Sequence, residues 1–440
     1  MNARALLVGL HRAALDEVHA GRALARALEA DDPGPGPFVV LAAGKAACAM
    51  AEAARATLGA RIVRGAVTTK DGHAREIPGL DVREASHPLP DGRSEAAGRA
   101  ALASASALSA SEQLIVLISG GASALWCVPA PGLALAEKRA ATASLLRASI
   151  AIGELNAVRK HLSSLKGGGL LRAAAGRRVR VYAISDVPGD ALEEIGSGPA
   201  SPDPTRFRDA LAAVRAHHGL EAELSPGVRA RLARGVAGEL AETLKPGDPL
   251  AARSDGRVVA SLEAALAAAV RAAETQGLRV RSLGRALDAD VVELAARLAA
   301  QVTRARAEGI DLLVAGGEPT VTVRGSGRGG RAQELAVRLA ISLAGVSHWT
   351  ALCAGTDGSD GPTDAAGAFA DPDSLARAHA FGLEPSASLA HSDVYPLLAA
   401  TGDLFRTGPT ETNVSDLLLV RVQQGAAQGT IARACEAGSG

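Results

Sequence analysis

Apolar runs that end in Gly, Pro or Asp recur through the first half of the chain, and Ala-rich helical stretches separate most of them. The runs are FVVLAAGK at 38–45, GAVTTKDG at 65–72, DVREASHP at 81–88, QLIVLISGGASAL at 113–125 and RVRVYAISDVPGD at 178–190. They are continuously apolar rather than alternating, which is typical of strands that are covered on both faces. The pattern predicts a mostly parallel β-sheet with helices on both sides.

A second set of strand-like runs follows a region without strong strands. Residues 3–29 have helical spacing, and residues 200–255 contain helical segments broken by Pro and Gly, so a domain boundary is expected loosely within 200–255. The later runs are VVAS at 258–261, LRVRSLG at 278–284, DLLVAGGEPTVTV at 311–323, with a hairpin-like PTVTV, WTALCAGTDGSDG at 349–361 and SDLLLV at 415–420. This half predicts a second α/β domain.

The length and charge of the chain restrict the classes of function. A chain of 440 residues with 48% apolar residues favours a globular protein of two domains. Lys plus Arg and Asp plus Glu both total 47, so no overall field favours nucleic acid or an anionic membrane as a partner. Any site for an anion must therefore be local.

The cysteines and the N-terminal residues suggest neither a metal centre nor export. No CxxC pair or His cluster accompanies the four cysteines, which are Cys48, Cys127, Cys353 and Cys435. The apolar stretch LLVGL ends at His11 and is too short for a signal sequence or a membrane span. A cytoplasmic location is expected.

Polar residues collect where the apolar runs end, which is where ligands bind in open parallel sheets. Lys45 follows Gly44 at the first turn of a predicted helix, and a bound anion would explain a lysine there, although an exposed surface lysine is the plain alternative. Ser119, Gly120, Gly121 and Ser123 form a Gly-rich turn with two hydroxyl groups. This turn could bind an anion or simply cap a helix through Ser123.

Aspartates follow two other runs. Asp186 and Asp190 lie in SDVPGD, and Asp357 and Asp360 lie in GTDGSDG. Carboxylates at strand ends suit Mg²⁺ or a base that accepts a hydroxyl proton. The alternative is that they only stabilise turns through Asx hydrogen bonds.

Two further segments offer polar residues for a substrate. Asn156, Arg159 and Lys160 share one face of the predicted helix in GELNAVRKHLSSLKGGG, where a solvated basic face is the alternative. His87 lies in a Pro-bounded turn, where a histidine is either structural or catalytic.

Glycine and arginine alternate in VRGSGRGGRAQEL, after the strand that ends at Gly316, Gly317 and Glu318. The accessible backbone N–H groups of glycines beside guanidinium groups indicate a binding site for an anion rich in oxygen. The segment also satisfies GxGxxG formally, at Gly325, Gly327 and Gly330, which is the main argument for a dinucleotide-dependent reductase. It does not follow a first Rossmann strand and has no acidic residue about 20 positions on, and the chain contains no P-loop.

These segments together resemble the glycerate 2-kinase family, which has also been labelled hydroxypyruvate reductase. The matching blocks are, in order, LAAGKAA, SHPLPD, LISGGASAL, NAVRKHLSSLKGG, ISDVPGD, IGSGP, AGGEPTVTVRGSGRGGRAQE, AGTDGSDGPTDAAGA and GPTETNVSDL. The resemblance implies an α/β protein with a larger N-terminal Rossmann-like three-layer domain at 1–236. A smaller C-terminal α/β domain at 237–440 would contain the MOFRL region, at about 310–425, and the active site would lie in the cleft between the domains.

The resemblance also implies an activity and roles for individual residues. ATP would phosphorylate the 2-hydroxyl of D-glycerate, with Lys45 and Arg331 acting in catalysis on domains that close together. Ala332 stands where family members often carry asparagine, which puts a secondary contact in doubt. Hydroxypyruvate reductase and a non-catalytic binder of small acids remain the alternatives.

The expected site combines these assignments with the reasoning from the residues. The expected catalytic residues are Lys45, Arg331 and Asp186. The residues expected to bind ATP are Ser119, Gly120, Gly121, Ser123, Gly316, Gly317, Glu318 and Asp357. His87, Asn156, Arg159 and Lys160 are expected to bind glycerate, and Asp186, Asp190 and Asp357 to bind Mg²⁺. The partners expected are D-glycerate and ATP, without nucleic acid or a membrane, and the protein is expected to be a monomer or a homodimer.

Overall fold

The computed structural model describes residues 2–148 and 150–423, and Cys435 lies outside this part. The chain forms two compact units. Of the described residues, the N-terminal unit contains those within 15–265 and 410–414, and the C-terminal unit contains 2–14, 266–409 and 415–423. The boundary expected between 236 and 237 thus lies upstream of this division, and residues 2–14 group with the C-terminal unit.

The N-terminal unit is built on a six-stranded parallel sheet. Its strands are β1 (Phe38–Ala43), β2 (Ile62–Lys70), β3 (Asp81–Ala85), β4 (Gln113–Ile118), β5 (Val179–Ile184) and β6 (Ser254–Ala260). They lie in the order β3-β2-β1-β4-β5-β6, and every neighbouring pair is parallel. This is the doubly wound Rossmann order, in which the direction of winding reverses between β1 and β4.

The helices of this half explain why its strands are continuously apolar. Helix α1 (Ala3–Val18) spans the division between residues 14 and 15. The helices that lie wholly in this unit are α2 (Ala20–Ala30), α3 (Ala47–Leu58), α4 (Gly92–Ser106), α5 (Ala122–Leu125), α6 (Leu135–Arg147), α7 (Ile152–His161), α8 (Gly169–Ala173), α9 (Phe207–Ala216), α10 (Leu220–Glu223) and α11 (Pro226–Val236). Strands β1 and β5 are buried at every position. The prediction of a covered parallel sheet is confirmed for this unit.

A second core in the N-terminal unit lies among helices alone. Helices α6, α7, α9 and α11 pack around Leu145, Val158, Phe207 and Leu232. We call this group of four helices the helical cluster. It occupies much of the region that the sequence left without strands.

The C-terminal unit contains a six-stranded mixed sheet. Its strands are β7 (Val280–Arg285), β8 (Leu312–Gly317), β9 (Trp349–Gly355), β10 (Gly367–Ala370), β11 (Leu404–Phe405) and β12 (Asp416–Val422). They lie in the order β11-β10-β9-β12-β8-β7. Only β7 and β8 are parallel among neighbours, since β12 runs antiparallel to both β8 and β9. The α/β class is confirmed, but parallel pairing does not extend to this sheet.

The remaining helices are α12 (Leu262–Glu274), α13 (Val291–Ala307), α14 (Arg331–Ser342), α15 (Ser374–Ala380), α16 (Pro385–Ala390) and α17 (Val394–Thr401).

Two local predictions for this half were wrong. PTVTV does not form a strand, because Thr320 makes only an isolated bridge with Asp290. The short strands β10 and β11 were not predicted.

Among the described residues, no helix combines the length and apolar character needed to cross a membrane. Cys48, Cys127 and Cys353 are buried free thiols.

Candidate active site

The turns after β1 and β4 lie side by side at the point where the winding of the N-terminal sheet reverses. The Lys45 N–H donates to the Gly120 carbonyl oxygen at 2.9 Å. The Ala46 N–H donates to Ser119 Oγ at 3.1 Å. The structure therefore brings two sequence-predicted segments together, at the position where open α/β sheets bind ligands.

Gly44 allows this close approach of the two turns. Its φ of +137° disfavours any residue with a side chain. A Cβ atom at position 44 would overlap Ser119 Oγ and would lie 2.6 Å from the Ser119 carbonyl oxygen. The glycine that precedes Lys45 is thus required by the packing of the site.

Replacing Gly44 with alanine is expected to destabilise the N-terminal unit by about 2–4 kcal/mol, because backbone strain and overpacking add. The measurement is urea unfolding in a Trp349→Phe background, followed by the fluorescence of Trp126, which is buried in this unit. Gly92→Ala is the control, since Gly92 lies in the same unit and an added Cβ there meets nothing within 4 Å. Wild-type stability in Gly44→Ala would contradict this account of the turn.

The glycine pair after β4 leaves room for four polar side chains of the same unit. A Cβ on Gly120 would lie 2.6 Å from Asn413 Nδ2 and 2.7 Å from Asp186 Oδ2. A Cβ on Gly121 would lie 3.2 Å from His87 Nε2 and 3.5 Å from Lys45 Cγ. Lys45, His87 and Asp186, predicted from separate motifs, therefore surround one turn.

Asn413 belongs to this group although it was not singled out from the sequence. Its Nδ2 donates to Asp186 Oδ2 at 3.3 Å. It lies in residues 410–414, a segment of the N-terminal unit that is remote along the chain. The only sequence signal for it is its place in the GPTETNVSDL block.

The loop after β5 carries two of the aspartates expected to bind a metal. Within the described residues, Asp190 Oδ1 is buried without a hydrogen-bond partner. No group of three or more His, Cys, Asp or Glu residues there could enclose a metal ion. An ion held by one or two carboxylates and otherwise by substrate and water, as is usual for Mg²⁺, fits these residues.

Ser123, which was expected to bind ATP, has a hydroxyl group that takes part in an internal network. Its Oγ lies 2.6 Å from Ser197 Oγ. Lys166 Nζ donates to Ser123 O at 2.9 Å and to Ser123 Oγ at 3.1 Å. Ser197 Oγ in turn donates to Asn156 Oδ1 at 3.2 Å.

The polar groups of Asn156 and Lys160 are likewise engaged inside the protein. Asn156 Nδ2 and Lys160 Nζ donate to the two carboxylate oxygens of Glu194 at 2.5 and 2.7 Å. The fully buried Lys160 also lies 3.3 Å from Asp203. A buried cation with two carboxylate partners is satisfied without a ligand, so these contacts give Lys160 a structural role.

Arg159 differs from its two neighbours. It is largely buried, and burial lowers its pKa. Within residues 2–148 and 150–423, its guanidinium group makes no hydrogen bond or ion pair with another residue. A cation in this state favours an anionic ligand.

A second polar group lies at the strand ends of the C-terminal unit. Because β12 runs antiparallel between β8 and β9, its first residue, Asp416, pairs with Gly317 and Gly355, the last residues of those strands. The Asp416 carboxylate accepts from Arg331 Nε at 2.8 Å and from Arg331 Nη2 at 3.1 Å. Arg331 Nη1 donates to Glu318 at 2.7 Å. Sequence reasoning found Arg331 and Glu318 but missed Asp416.

The Arg331 side chain is fixed by two carboxylates but still has unused hydrogen-bond donors. Its side chain is 30% exposed. Burial lowers the pKa of Arg331, the carboxylates of Asp416 and Glu318 raise it, and the net shift is upward. Three of its five N–H groups are used, which leaves two for a further acceptor.

The glycines of the Gly-Arg segment have structural reasons of their own. A Cβ on Gly325 or Gly327 would lie 2.7 or 2.6 Å from the His391 carbonyl oxygen. The Arg328 guanidinium stacks over the Tyr395 ring at 4.5 Å. The segment is irregular from 321 to 330 and does not form the tight strand-to-helix turn of a dinucleotide fingerprint.

Asp360 stabilises the start of α14 just beyond Arg331. Its carboxylate accepts from the Ala332 N–H at 3.1 Å and from the Gln333 N–H at 2.8 Å. Burial and the nearby Asp416 charge raise the pKa of Asp360 to about 7, although the helix N–H groups act in the opposite direction. Ala332, at the position that departs from the family pattern, is itself buried.

This raised pKa predicts how the stability of the C-terminal unit depends on pH. Between pH 4 and 7 the folded Asp360 retains a proton that the unfolded chain, with a pKa of 3.8, releases. Its contribution to the free energy of unfolding therefore falls as pH rises, by roughly 2–4 kcal/mol across this interval. Urea unfolding followed by Trp349 fluorescence, in a Trp126→Phe background, is expected to lose this slope in Asp360→Asn. Parallel pH profiles with and without that substitution would contradict the prediction.

The other predicted residues of this unit lie in tight turns. Asp357 Oδ1 accepts from the Ser359 N–H at 3.1 Å, which is an Asx turn. Gly317 has a φ of +143°, and a Cβ there would lie 2.5 Å from Asp288 Oδ1. The Glu318 N–H donates to the same oxygen at 2.6 Å. Roles for Gly316, Gly317 and Asp357 in binding ATP or metal stay predictions.

Comparisons with known proteins place the chain in a family. A family model described as a domain of unknown function (DUF4147) matches residues 6–233, and that of the MOFRL family matches residues 311–416. A relative from Agrobacterium vitis with the provisional name hydroxypyruvate reductase is 40% identical over 88% of this chain and 87% of its own length.

The D-glycerate 2-kinase of Thermotoga maritima is 35% identical over 87% of this chain and 89% of its own length. The crystal structure of the glycerate kinase from the same organism superposes with a TM-score of 0.85 at 33% identity, covering 95% of this chain and 99% of that one. The resemblance inferred from the sequence motifs is confirmed: the chain belongs to the glycerate 2-kinase family.

Proposed function

We propose that this protein is a D-glycerate 2-kinase, which transfers a phosphoryl group from ATP to the 2-hydroxyl of D-glycerate. This chain covers 89% and 88% of the length of two relatives named as glycerate 2-kinases. The observation that carries the proposal is the gathering of Lys45, the Gly120–Gly121 backbone and Asp186 at the reversal point of the sheet. Phosphoryl transfer needs this combination of a cation, accessible backbone and a carboxylate.

The reductase name of some relatives makes hydride transfer the second candidate. The Rossmann strand order suits a dinucleotide as well as ATP. However, the turn after β1 reads AAGKAA and has one glycine instead of three. The acidic residue after β2, Asp71, which could hold a ribose, is instead paired through both oxygens with Arg93 at 2.6 and 3.0 Å. These features favour the kinase.

Two cations neutralise the charge that develops on the transferred group. Lys45 follows Gly44 at the end of β1, and its backbone is fixed by the Gly120 carbonyl. Arg331 keeps two N–H groups for a phosphate oxygen while Asp416 and Glu318 fix its orientation. Preorganised donors of this kind stabilise the transition state more than the ground state.

Asp186 accepts the proton of the glycerate 2-hydroxyl. Asn413 donates to one of its oxygens, Oδ2, and so orients the carboxylate. Asp190, whose buried oxygen lacks a partner among the described residues, would hold Mg²⁺ together with Asp186. When bound, Mg²⁺ neutralises charge on the ATP phosphates.

Arg159 holds the carboxylate of glycerate. Of the two cations on the predicted helix face, Arg159 has no hydrogen-bonded partner in the described structure. The charge of Lys160 is balanced by Glu194 and Asp203. Burial lowers the pKa of Lys166, and the nearby charges of Arg159 and Lys138 lower it further, so positive charges in this region repel one another. A carboxylate bound to Arg159 relieves this repulsion.

Arg159→Gln is expected to raise KM for D-glycerate by roughly tenfold or more, because one charge-assisted interaction is lost. KM for ATP and kcat are expected to change little, and stability should not fall. Lys160→Gln is the contrast: it leaves two buried carboxylates unpaired, so it should unfold more readily. An unchanged KM for glycerate in folded Arg159→Gln would remove Arg159 from the site.

The function is tested by incubating the protein with D-glycerate, ATP and Mg²⁺ and identifying the product by ³¹P and ¹³C NMR. 2-Phosphoglycerate is the expected product. A parallel reaction contains hydroxypyruvate and NADH or NADPH. Oxidation of the dinucleotide without phosphorylation of glycerate would establish the reductase instead, and formation of 3-phosphoglycerate would correct the position of transfer.

A further inference from the structure

The N-terminal unit contains a cavity of about 640 Å³ that the proposed reaction does not use. It lies beside helices α7, α9 and α11 of the helical cluster and is also lined by residues within 163–169 and 240–243. Among the described residues that line it, none is Lys45, His87, Gly120 or Asp186. Its volume is in the range of pockets that hold small organic molecules.

The cavity wall has an apolar part and a cationic part. Leu133, Phe207 and Leu240 form the apolar part. The cationic side chains are Lys160, Lys166, Arg172, Arg231 and Arg234. Glu242 is the one carboxylate among the described lining residues, so positive charge is in excess.

Internal partners balance only some of these charges. Glu242 is occupied by His161 Nε2 at 3.0 Å and by the Phe207 N–H at 3.1 Å. Lys160 pairs with Glu194 and Asp203 (above), and Arg234 pairs with Glu239 at 2.9 Å. Lys166, Arg172 and Arg231 are left without a carboxylate partner among the described residues, and Arg172 Nη2 donates to the Glu242 backbone carbonyl oxygen at 3.1 Å.

Arg231 is the best-placed group for a ligand. Its Nε donates to the His161 carbonyl oxygen at 2.8 Å, and its guanidinium lies 5.7 Å from the centre of the Phe207 ring. Within the described residues, its two terminal nitrogens make no hydrogen bond. The side chain is thus oriented with donors to spare, beside an apolar surface.

Lys166 adds to the field in the cavity. Its Nζ donates to the carbonyl oxygens of Ser123 and Gly196 and to Ser123 Oγ, which are neutral acceptors. Burial lowers the pKa of Lys166, and nearby cations lower it further. A negative charge in the cavity would stabilise the protonated ammonium group.

We propose that this cavity is a second ligand site that binds a small organic anion, with its carboxylate, phosphate or sulfonate group on Arg231 and its apolar part against Leu133, Phe207 and Leu240. The proposal does not depend on the assigned kinase activity.

The probe for this site is anilinonaphthalene sulfonate, which combines a sulfonate with an apolar aromatic body and fluoresces on transfer from water. Titration of the full-length protein is expected to show saturable binding of one dye per chain. Saturating ATP and D-glycerate should leave this binding unchanged. Displacement of the dye by either substrate would place it at the reaction site and overturn the proposal.

Three variants locate the dye. Arg231→Gln is expected to weaken binding roughly tenfold or more, and Ala230→Trp, which keeps every charge but narrows the cavity, is expected to abolish it. Arg229→Gln is the matched control, because Arg229 lies on the same helix and does not line the cavity. Far-UV circular dichroism and glycerate phosphorylation verify folding of each variant. Wild-type affinity in folded Arg231→Gln, or in folded Ala230→Trp, would overturn the proposal.

Discussion

Arg331→Ala is expected to lower kcat for glycerate phosphorylation by roughly two orders of magnitude or more, since removing one preorganised donor from a developing oxyanion has effects of this size. KM for each substrate should change less, because the lost interaction strengthens in the transition state. The argument rests on the geometry of the guanidinium group. Asp416 and Glu318 fix it through three hydrogen bonds and leave two N–H groups for a phosphate oxygen.

Arg331→Lys separates charge from geometry. Lysine keeps the positive charge but cannot reproduce the two-pronged contact with Asp416 while donating elsewhere, so most of the loss in kcat should remain. Arg324→Ala is the control, because Arg324 is an exposed arginine of the same segment. Full activity in Arg331→Lys would show that only the charge of Arg331 matters. Wild-type kcat in Arg331→Ala would show that Arg331 has no role in catalysis.

The N-terminal fold could be predicted because its information is local. Each strand of a covered parallel sheet is apolar along its whole length, and the turn that follows it carries the ligand-binding residues. Lys45, the Gly120–Gly121 pair and Asp186 were therefore found from separate motifs. The predicted boundary between 236 and 237 precedes β6, because β6 is half exposed and follows a long region without strands, which gives little local sign that it completes the first sheet.

Asn413 and Asp416 could not be found in the same way. Residues 410–414 join the N-terminal unit, and β12 inserts between β8 and β9, so both positions depend on pairing between segments that are remote in sequence. An antiparallel strand also reverses the usual rule, because its first residue, Asp416, lies at the edge where the neighbouring strands β8 and β9 end. Periodicity within a segment does not encode such pairing.

The Gly-Arg segment illustrates a different difficulty. Its glycines and arginines predicted a grip on phosphate, but Gly325 and Gly327 pack against the His391 carbonyl oxygen and Arg328 stacks on Tyr395. Glycine is required equally where a ligand approaches the backbone and where another backbone does. Within this segment, the proposal for phosphate therefore rests on Arg331 and not on the composition of the whole segment.

Lys45→Ala is expected to lower kcat by roughly two orders of magnitude or more, again with a smaller change in KM. The Lys45 backbone is fixed by the Gly120 carbonyl, and its side chain lies beside the Gly121 turn and His87. Steady-state kinetics with varied ATP and varied D-glycerate separate kcat from each KM. Lys70→Ala, which removes a lysine at the end of the neighbouring strand β2, is the control for a general loss of positive charge. A similar loss of kcat in both variants would contradict a specific role for Lys45.

The double variant Lys45→Ala with Arg331→Ala tests whether both residues stabilise the same transition state. Groups that act as a unit are strongly non-additive, because the first substitution already forfeits most of what the second could remove. The double variant is therefore expected to retain clearly more activity than the product of the two separate losses predicts. Multiplicative losses would mean that Lys45 and Arg331 contribute independently. One of them would then act elsewhere, for example in binding ATP, and the proposal that both stabilise the transferred phosphoryl group would be wrong.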